Sequence, residues 1–175
     1  MRRLALVLVG IPGSGKSEVG RFVAQALDVP FVEVDDLVET ELGAPATEYF
    51  ATSGEEAYRK AEEQVALAAL HLDGVVALSS GAVTSAAVRE ALGGLRVVWL
   101  RTAVTAATRR LSMNSLGMAG LVAIRNSMDA MLAERARWYE AVSTGVVDTD
   151  RLTAPGADAV GAVLDAGQSG DDARV

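Results

Sequence analysis

The chain has 175 residues, half of them hydrophobic, with 16 Lys and Arg against 23 Asp and Glu, a net charge of −7 and no cysteine. That is one domain with enough apolar side chains for a sizeable core, which excludes a wholly disordered protein as well as disulfides, thiolate catalysis and cysteine-ligated zinc. The acidic balance without a basic stripe argues against nucleic acid as a partner, because phosphate-backbone affinity comes from clustered Lys and Arg.

Arg2-Arg3 and the apolar run Leu4 to Val9 mimic the start of a secretory signal, and Ala24-Gln25-Ala26 mimics its cleavage site. The spacing disagrees, since Lys16, Ser17, Glu18 and Arg21 lie between. No run approaches the ~18–20 apolar residues of a spanning helix, so a cytoplasmic protein without membrane contact is expected. Leu4 to Val9 predicts a strand buried on both faces of a parallel sheet. A glycine-rich turn follows, and Val19, Phe22, Val23, Ala26 and Leu27 repeat at helical spacing over Lys16 to Leu27. Phe31 to Val34 predicts a second strand stopped by Asp35-Asp36, with a helix from Leu37 closed by Gly43. Ser53 offers an N-cap, with Glu56 at the capping-box position, for a helix running to about Leu72. Val75 to Leu78 and Val97 to Leu100 predict two further strands, each followed by a helix, Thr84 to Leu92 and Thr102 to Leu111. Ser112 to Gly120 has little charge and no period, which predicts a mobile loop. A long helix from Val122 to Val142, a short strand at Val146-Val147 and a helix from Ala157 to Leu164 complete the order.

Strands alternating with helices predict an α/β domain over residues 1–167, with a lid at about 112–121 and a flexible tail at 168–175. The architecture expected is three layers, a doubly wound parallel sheet of about five strands with helices on both faces. Ligands of such sheets bind at the carboxyl ends of the strands, so the loops after Val9, Val34, Leu78 and Leu100 share one cleft. A monomer is the expectation for this fold. The lone His71, among leucines and without ligand-spaced partners, reads as a partly buried surface residue rather than a metal ligand.

Gly10-Ile11-Pro12-Gly13-Ser14-Gly15-Lys16-Ser17 fits G-x-x-x-x-G-K-[ST] between a strand and a helix, the context a phosphate-binding loop demands. Glycines let the backbone wrap with its N–H groups pointing inward, and the helix N-terminus adds a positive dipole end. Lys16, one of only two lysines, would span the β- and γ-phosphates, and the Ser17 hydroxyl would ligate Mg²⁺. ATP is favoured over GTP because no N-K-x-D-like guanine-reading signature occurs. Gly13, Ser14, Gly15, Lys16, Ser17 and Glu18 form the expected nucleotide contacts.

From about Leu4 to Leu164 the chain resembles the shikimate kinases, in particular their actinobacterial members. Gly10 to Ser17 is similar to that family's nucleotide loop. Phe31-Val32-Glu33-Val34-Asp35 is similar to its strand ending in two acidic residues one apart. Phe50 to Glu55 followed by Tyr58-Arg59-Lys60-Ala61-Glu62 resembles its F-x-x-x-G-E…F/Y-R-x-x-E segment, and Leu78-Ser79-Ser80-Gly81-Ala82 its L-G-G-G-A. Arg135 and Tyr139 match its R-x-x-x-Y helix, and Val147-Asp148-Thr149 ahead of Pro155 its adenine loop. The resemblance implies a P-loop kinase fold and ATP- and Mg²⁺-dependent phosphorylation of the 3-hydroxyl of shikimate, a small carboxylate of aromatic amino-acid synthesis. It implies a catalytic set of Lys16, Asp35 and Arg59, with Asp35 accepting the hydroxyl proton or orienting that oxygen; an Asp before Leu37-Val38 also suits a helix N-cap, and both can hold together. Arg59 and Arg135 would hold the carboxylate, with Ser80 and Gly81 beside it. Glu33 would help Ser17 hold the metal, and Arg110 and Pro155 would sandwich the adenine, with Arg151 near the nucleotide.

Three positions depart from the family pattern. Glu33 stands in place of an aspartate. Ser79-Ser80 replace two glycines, at a cost of roughly 1–2 kcal/mol if their backbone is left-handed. Leu116-Gly117-Met118-Ala119-Gly120 follows Asn114-Ser115 where the family has an arginine, then proline and leucine. An arginine on the transferring phosphoryl group contributes on the order of 10³–10⁵ in rate, and Arg125 lies a few residues further on. These departures leave two alternatives: a kinase of the same fold for another hydroxy-carboxylate, such as a sugar acid, or a catalytically weak nucleotide-binding paralogue acting through a partner.

Overall fold

The computed structural model describes residues 5–112, 118–152 and 157–168. Five strands form one sheet: β1 (Ala5–Val9), β2 (Phe31–Glu33), β3 (Gly74–Ala77), β4 (Arg96–Arg101) and β5 (Gly145–Asp148). All pairs are parallel, in the order β2-β3-β1-β4-β5. The helices are α1 (Lys16–Leu27), α2 (Val34–Leu42), α3 (Ala46–Ser53), α4 (Glu55–Ala69), α5 (Ala86–Ala91), α6 (Val104–Ser112), α7 (Met118–Val142) and α8 (Ala157–Gln168).

The unbroken apolar run of β1 has its reason in this layering. Leu6 and Leu8 point to one face, among Val19 and Val23 of α1 and Ala159 and Val163 of α8. Val7 and Val9 point to the other, among Val38, Tyr58, Ala66 and Tyr139. These four side chains of β1 are buried, each worth about 1.5–3 kcal/mol relative to exposure. The three-layer α/β reading thus matches. Because Leu8 pairs with Ala77 and Val9 with Trp99, the loops leaving β1, β3 and β4 open at the same sheet end.

Several boundaries differ from expectation. The second strand stops at Glu33 and Val34 already begins α2, so Asp35 lies in a helical first turn rather than at a strand end. Ser53 does not cap a long helix: it ends α3, and Gly54 (φ +83°) joins α3 to α4. That positive φ suits glycine far better than serine, so the joint falls one residue later. α4 ends at Ala69, and His71 beyond it is exposed rather than partly buried. Thr84 belongs to a short 3-10 turn, and Ser85 is the N-cap of α5, its hydroxyl accepting from the Val88 N–H. α7 begins at Met118, four residues before the expected Val122, and α8 runs to Gln168. Half of the expected lid, residues 113–117, and nearly all of the tail, 169–175, lie outside the described residues; the rest of the lid belongs to the end of α6 and the start of α7. Among the described residues no helix is long and apolar enough to cross a membrane.

Candidate active site

The phosphate loop connects β1 to α1. Gly13 has φ +74°, and a Cβ there would stand 2.6 Å from the Ala107 carbonyl oxygen of α6, so both conformation and space require glycine. Lys16 is buried and donates from Nζ to the carbonyl oxygens of Gly10 (2.9 Å) and Ile11 (3.2 Å). Burial lowers its pKa; the charges of Asp35 and Glu33 act against that shift and Arg135 adds to it. One lysine therefore feels both the acidic pair and Arg135. Burial raises the Glu33 carboxyl, opposed by a hydrogen bond from Ser17. Glu33 Oε2 and Ser14 Oγ are buried without hydrogen-bond partners. Such orphans are costly unless something fills the site.

On one side of the loop, Arg110 of α6 donates to the Gly13 carbonyl at 3.0 Å, tying a helix from the far half of the chain to the phosphate loop. Ser14, Gly15, Glu18, Arg110, Thr149 and Leu152 line a cleft of about 170 Å³ beside the loop. Arg151 is 84% exposed and pairs with Asp148 at 3.5 Å, outside that lining. Pro155 lies outside the described residues.

On the other side, Asp35 is exposed on α2, and its charge is felt at Lys16, Glu33, Tyr58 and Glu62. Arg59 of α4 donates from Nη1 to Glu62 at 2.7 Å and more weakly to Glu55, above the rings of Phe50 and Tyr58. Phe50 belongs to α3 and stacks on Tyr58, with centroids 4.4 Å apart, so α3 supplies the floor under this arginine. Arg135 of α7 is 6% exposed. Its Nη1 reaches the Ser80 hydroxyl at 3.5 Å, its Nε has no hydrogen-bond partner, and Glu134 stands 3.8 Å away. Tyr139, one turn on, donates to the Ser80 carbonyl at 2.7 Å. Ser80 and Gly81 therefore sit between the two guanidinium groups, Ser80 against Arg135 and Gly81 against Arg59.

The serines carry no left-handed strain. Asp28 is the sole non-glycine with positive φ among the described residues, so the conditional cost at Ser79-Ser80 does not arise. Ser79 Oγ is buried without a partner. Arg125 on α7 is 59% exposed and turned toward Asp129 of the same helix at 3.9 Å. Two residues given no role from the sequence belong to the site. Glu62 stands three residues after Arg59, a helical spacing that signals the pair. Asp150 contacts Thr102, Ala103 and Arg110, all about 40 residues or more earlier in the chain, and no local signal reveals that.

A phosphate cradle on the central strand of this sheet, facing two guanidinium groups across one sheet end, defines a small-molecule kinase of the phosphate-loop class. The chain belongs to the shikimate kinase family, whose model matches residues 12–165. It is 46% identical over 154 residues to a shikimate kinase from Mycobacterium avium (strain 104), spanning 86% of each chain. In fold it is similar to shikimate kinase from Acinetobacter baumannii in complex with shikimate (TM-score 0.81, 24% identity, 99% of this chain and 96% of that one). A gluconokinase from Sinorhizobium meliloti 1021 shares the fold more loosely (TM-score 0.55, 20% identity, 98% and 93% covered).

Proposed function

We propose that the protein transfers the γ-phosphoryl group of ATP to the 3-hydroxyl of shikimate. The observation that carries this reading is the placement of Arg59 and Arg135 on either side of Ser80-Gly81, with Arg135 close enough to Lys16 to lower its pKa. Two planar guanidinium groups suit a small carboxylate, which each can hold through parallel N–H···O bonds. Asp35, on the rim between Lys16 and Glu62, then takes the acceptor hydroxyl's proton or orients that oxygen. The oxygen–phosphorus bond to the acceptor forms as the β–γ bridge breaks, and ADP leaves. Positioning carries most of the rate in such transfers.

Ser17 and Glu33 would hold Mg²⁺, the glutamate in part through water. The fit rests on Glu33 Oε2, a buried carboxylate oxygen without a hydrogen-bond partner next to the Ser17 hydroxyl. Bound there, the ion neutralises charge on the β- and γ-phosphates. No group of three or more His, Cys, Asp or Glu able to hold a metal occurs among the described residues. Mg²⁺ commonly keeps several waters and is held by one or two side chains together with substrate phosphates.

A second acceptor has one observation in its favour: the unpartnered buried hydroxyl of Ser79, beside Ser80, adds a hydrogen-bonding group that a glycine lacks. A coupled ADP-release assay with shikimate, quinate and gluconate separates the two readings. Turnover with shikimate is expected. Turnover with another acid and none with shikimate overturns the first reading. No turnover at all, with ADP still raising the melting temperature, favours a nucleotide-binding paralogue.

A further inference from the structure

We propose that Asp150 is a positioning residue for the nucleotide: its carboxylate, in the turn after β5, fixes Arg110 against the phosphate loop. The inference rests on the ATP-dependent reading above and assigns a further residue to that same site.

Asp150 lies in a 3-10 turn, Thr149–Arg151, at the carboxyl end of the sheet. Both carboxylate oxygens are engaged at short range. Oδ1 accepts from the Thr102 hydroxyl at 2.6 Å and Oδ2 from the Ala103 N–H at 2.6 Å. Both donors precede α6, so the carboxylate pins the start of the helix that carries Arg110. It also meets Arg110 directly, Nη2 to Oδ1 at 3.6 Å. The guanidinium's other terminal nitrogen, Nη1, donates to the Gly13 carbonyl at 3.0 Å and to Thr102 Oγ1 at 3.3 Å. One chain of contacts thus runs from the turn that lines the base cleft, through Asp150 and Arg110, to the backbone of the phosphate cradle.

The charge follows the geometry. Burial would push the Asp150 carboxyl up, yet Thr102, Ala103 and Arg110 together hold it below its ordinary value. Arg110 is 41% exposed; a long side chain that exposed samples many rotamers unless something holds it. Thr149 and Leu152, on either side of Asp150, line the same cleft as Arg110. Without the carboxylate, the two walls of that cleft lose their direct link, and binding a nucleotide must order Arg110 first.

Calorimetric titration with ADP and magnesium chloride tests this on the full chain. Asp150→Ala is expected to weaken ADP about five- to tenfold, and Asp150→Asn about two- to threefold, because the amide oxygen still accepts one hydrogen bond but offers Arg110 no charge. The KM for shikimate stays within about twofold of wild type. In an Arg110→Ala background the Asp150→Ala change adds less than about twofold, since the two act as one unit. Unchanged ADP affinity in either Asp150 variant, or losses that multiply in the double variant, overturn the assignment. A lower melting temperature with unaltered ADP affinity does so as well, leaving Asp150 a helix cap alone. Should Asp150→Ala fail to fold, Asp150→Asn carries the test. Wild-type protein that bound no ADP would instead remove the ATP-dependent reading itself, and this inference with it.

Discussion

Gly81→Ala isolates the proposed carboxylate clamp from the rest of the site. Gly81 has φ −86° and ψ −18°, an ordinary right-handed conformation, so alanine meets no backbone penalty there. What it meets is Arg59: the new Cβ would overlap Nη1 and stand 2.8 Å from Cζ and 2.9 Å from Glu62 Oε2. The turn is held by the Thr84 N–H and hydroxyl, which donate to the Gly81 carbonyl at 2.9 and 2.8 Å, so the guanidinium is the part that yields. Swinging Arg59 aside removes one of the two charged arms proposed to hold the substrate carboxylate. A hydrogen bond to a charged group is worth about 1.5–3 kcal/mol, which corresponds to a roughly 10- to 100-fold rise in the KM for shikimate. The KM for ATP stays near wild type because the phosphate loop is untouched. Steady-state ADP release with each substrate varied in turn reads both constants. An unchanged shikimate KM, or a parallel rise in both, refutes the placement of Arg59 on the acceptor.

Three further outcomes follow from the same geometry. Lys16→Ala is expected to abolish ADP-dependent thermal stabilisation, and a retained shift in melting temperature would remove Lys16 from the cradle. Burial raises the Glu62 carboxyl despite the opposing Arg59 charge, so between its ordinary range and that raised value the folded state holds more protons than the unfolded one. Stability falls as pH rises through that window; denaturant midpoints against pH should show a flatter decline in Glu62→Gln, and identical slopes would contradict the assignment. Arg125→Ala should leave turnover within about twofold, because an exposed pair of this kind contributes little; a loss of 10³ or more would mean that Arg125 stabilises the transferring phosphoryl group.

The phosphate loop was legible because its chemistry is local: glycines, lysine and serine lie within eight positions, and α1 begins at Lys16 as its periodicity predicts. The buried strands were legible for the related reason that both faces of β1 are covered. α3 was missed. None of its residues is fully buried, and the apolar Tyr49 and Phe50 only become meaningful once Tyr58 and Arg59 pack on them. The Ser53 cap failed because a box motif does not encode the positive φ that Gly54 supplies. Asp150 was out of reach for another reason: its partners are 47 and 48 residues away and meet it only when β5 aligns with β4.

An acidic chain can hold an anionic substrate if its cations are oriented rather than merely numerous. Arg59 shows how. A guanidinium carries five N–H donors; three are spent on Glu55 and Glu62, one from Nε and one from each terminal nitrogen. Two remain, one on each terminal nitrogen, the number that a bidentate carboxylate takes. The glutamates cancel much of the positive charge, so they cost long-range attraction, but they fix the plane of the fork above Phe50 and Tyr58. Arg110 repeats the arrangement beside the phosphate loop, with Asp150 in the part of Glu62. In both places a carboxylate on one side of an arginine sets the direction in which its other side can bind, and the net charge of the chain ceases to decide what it binds.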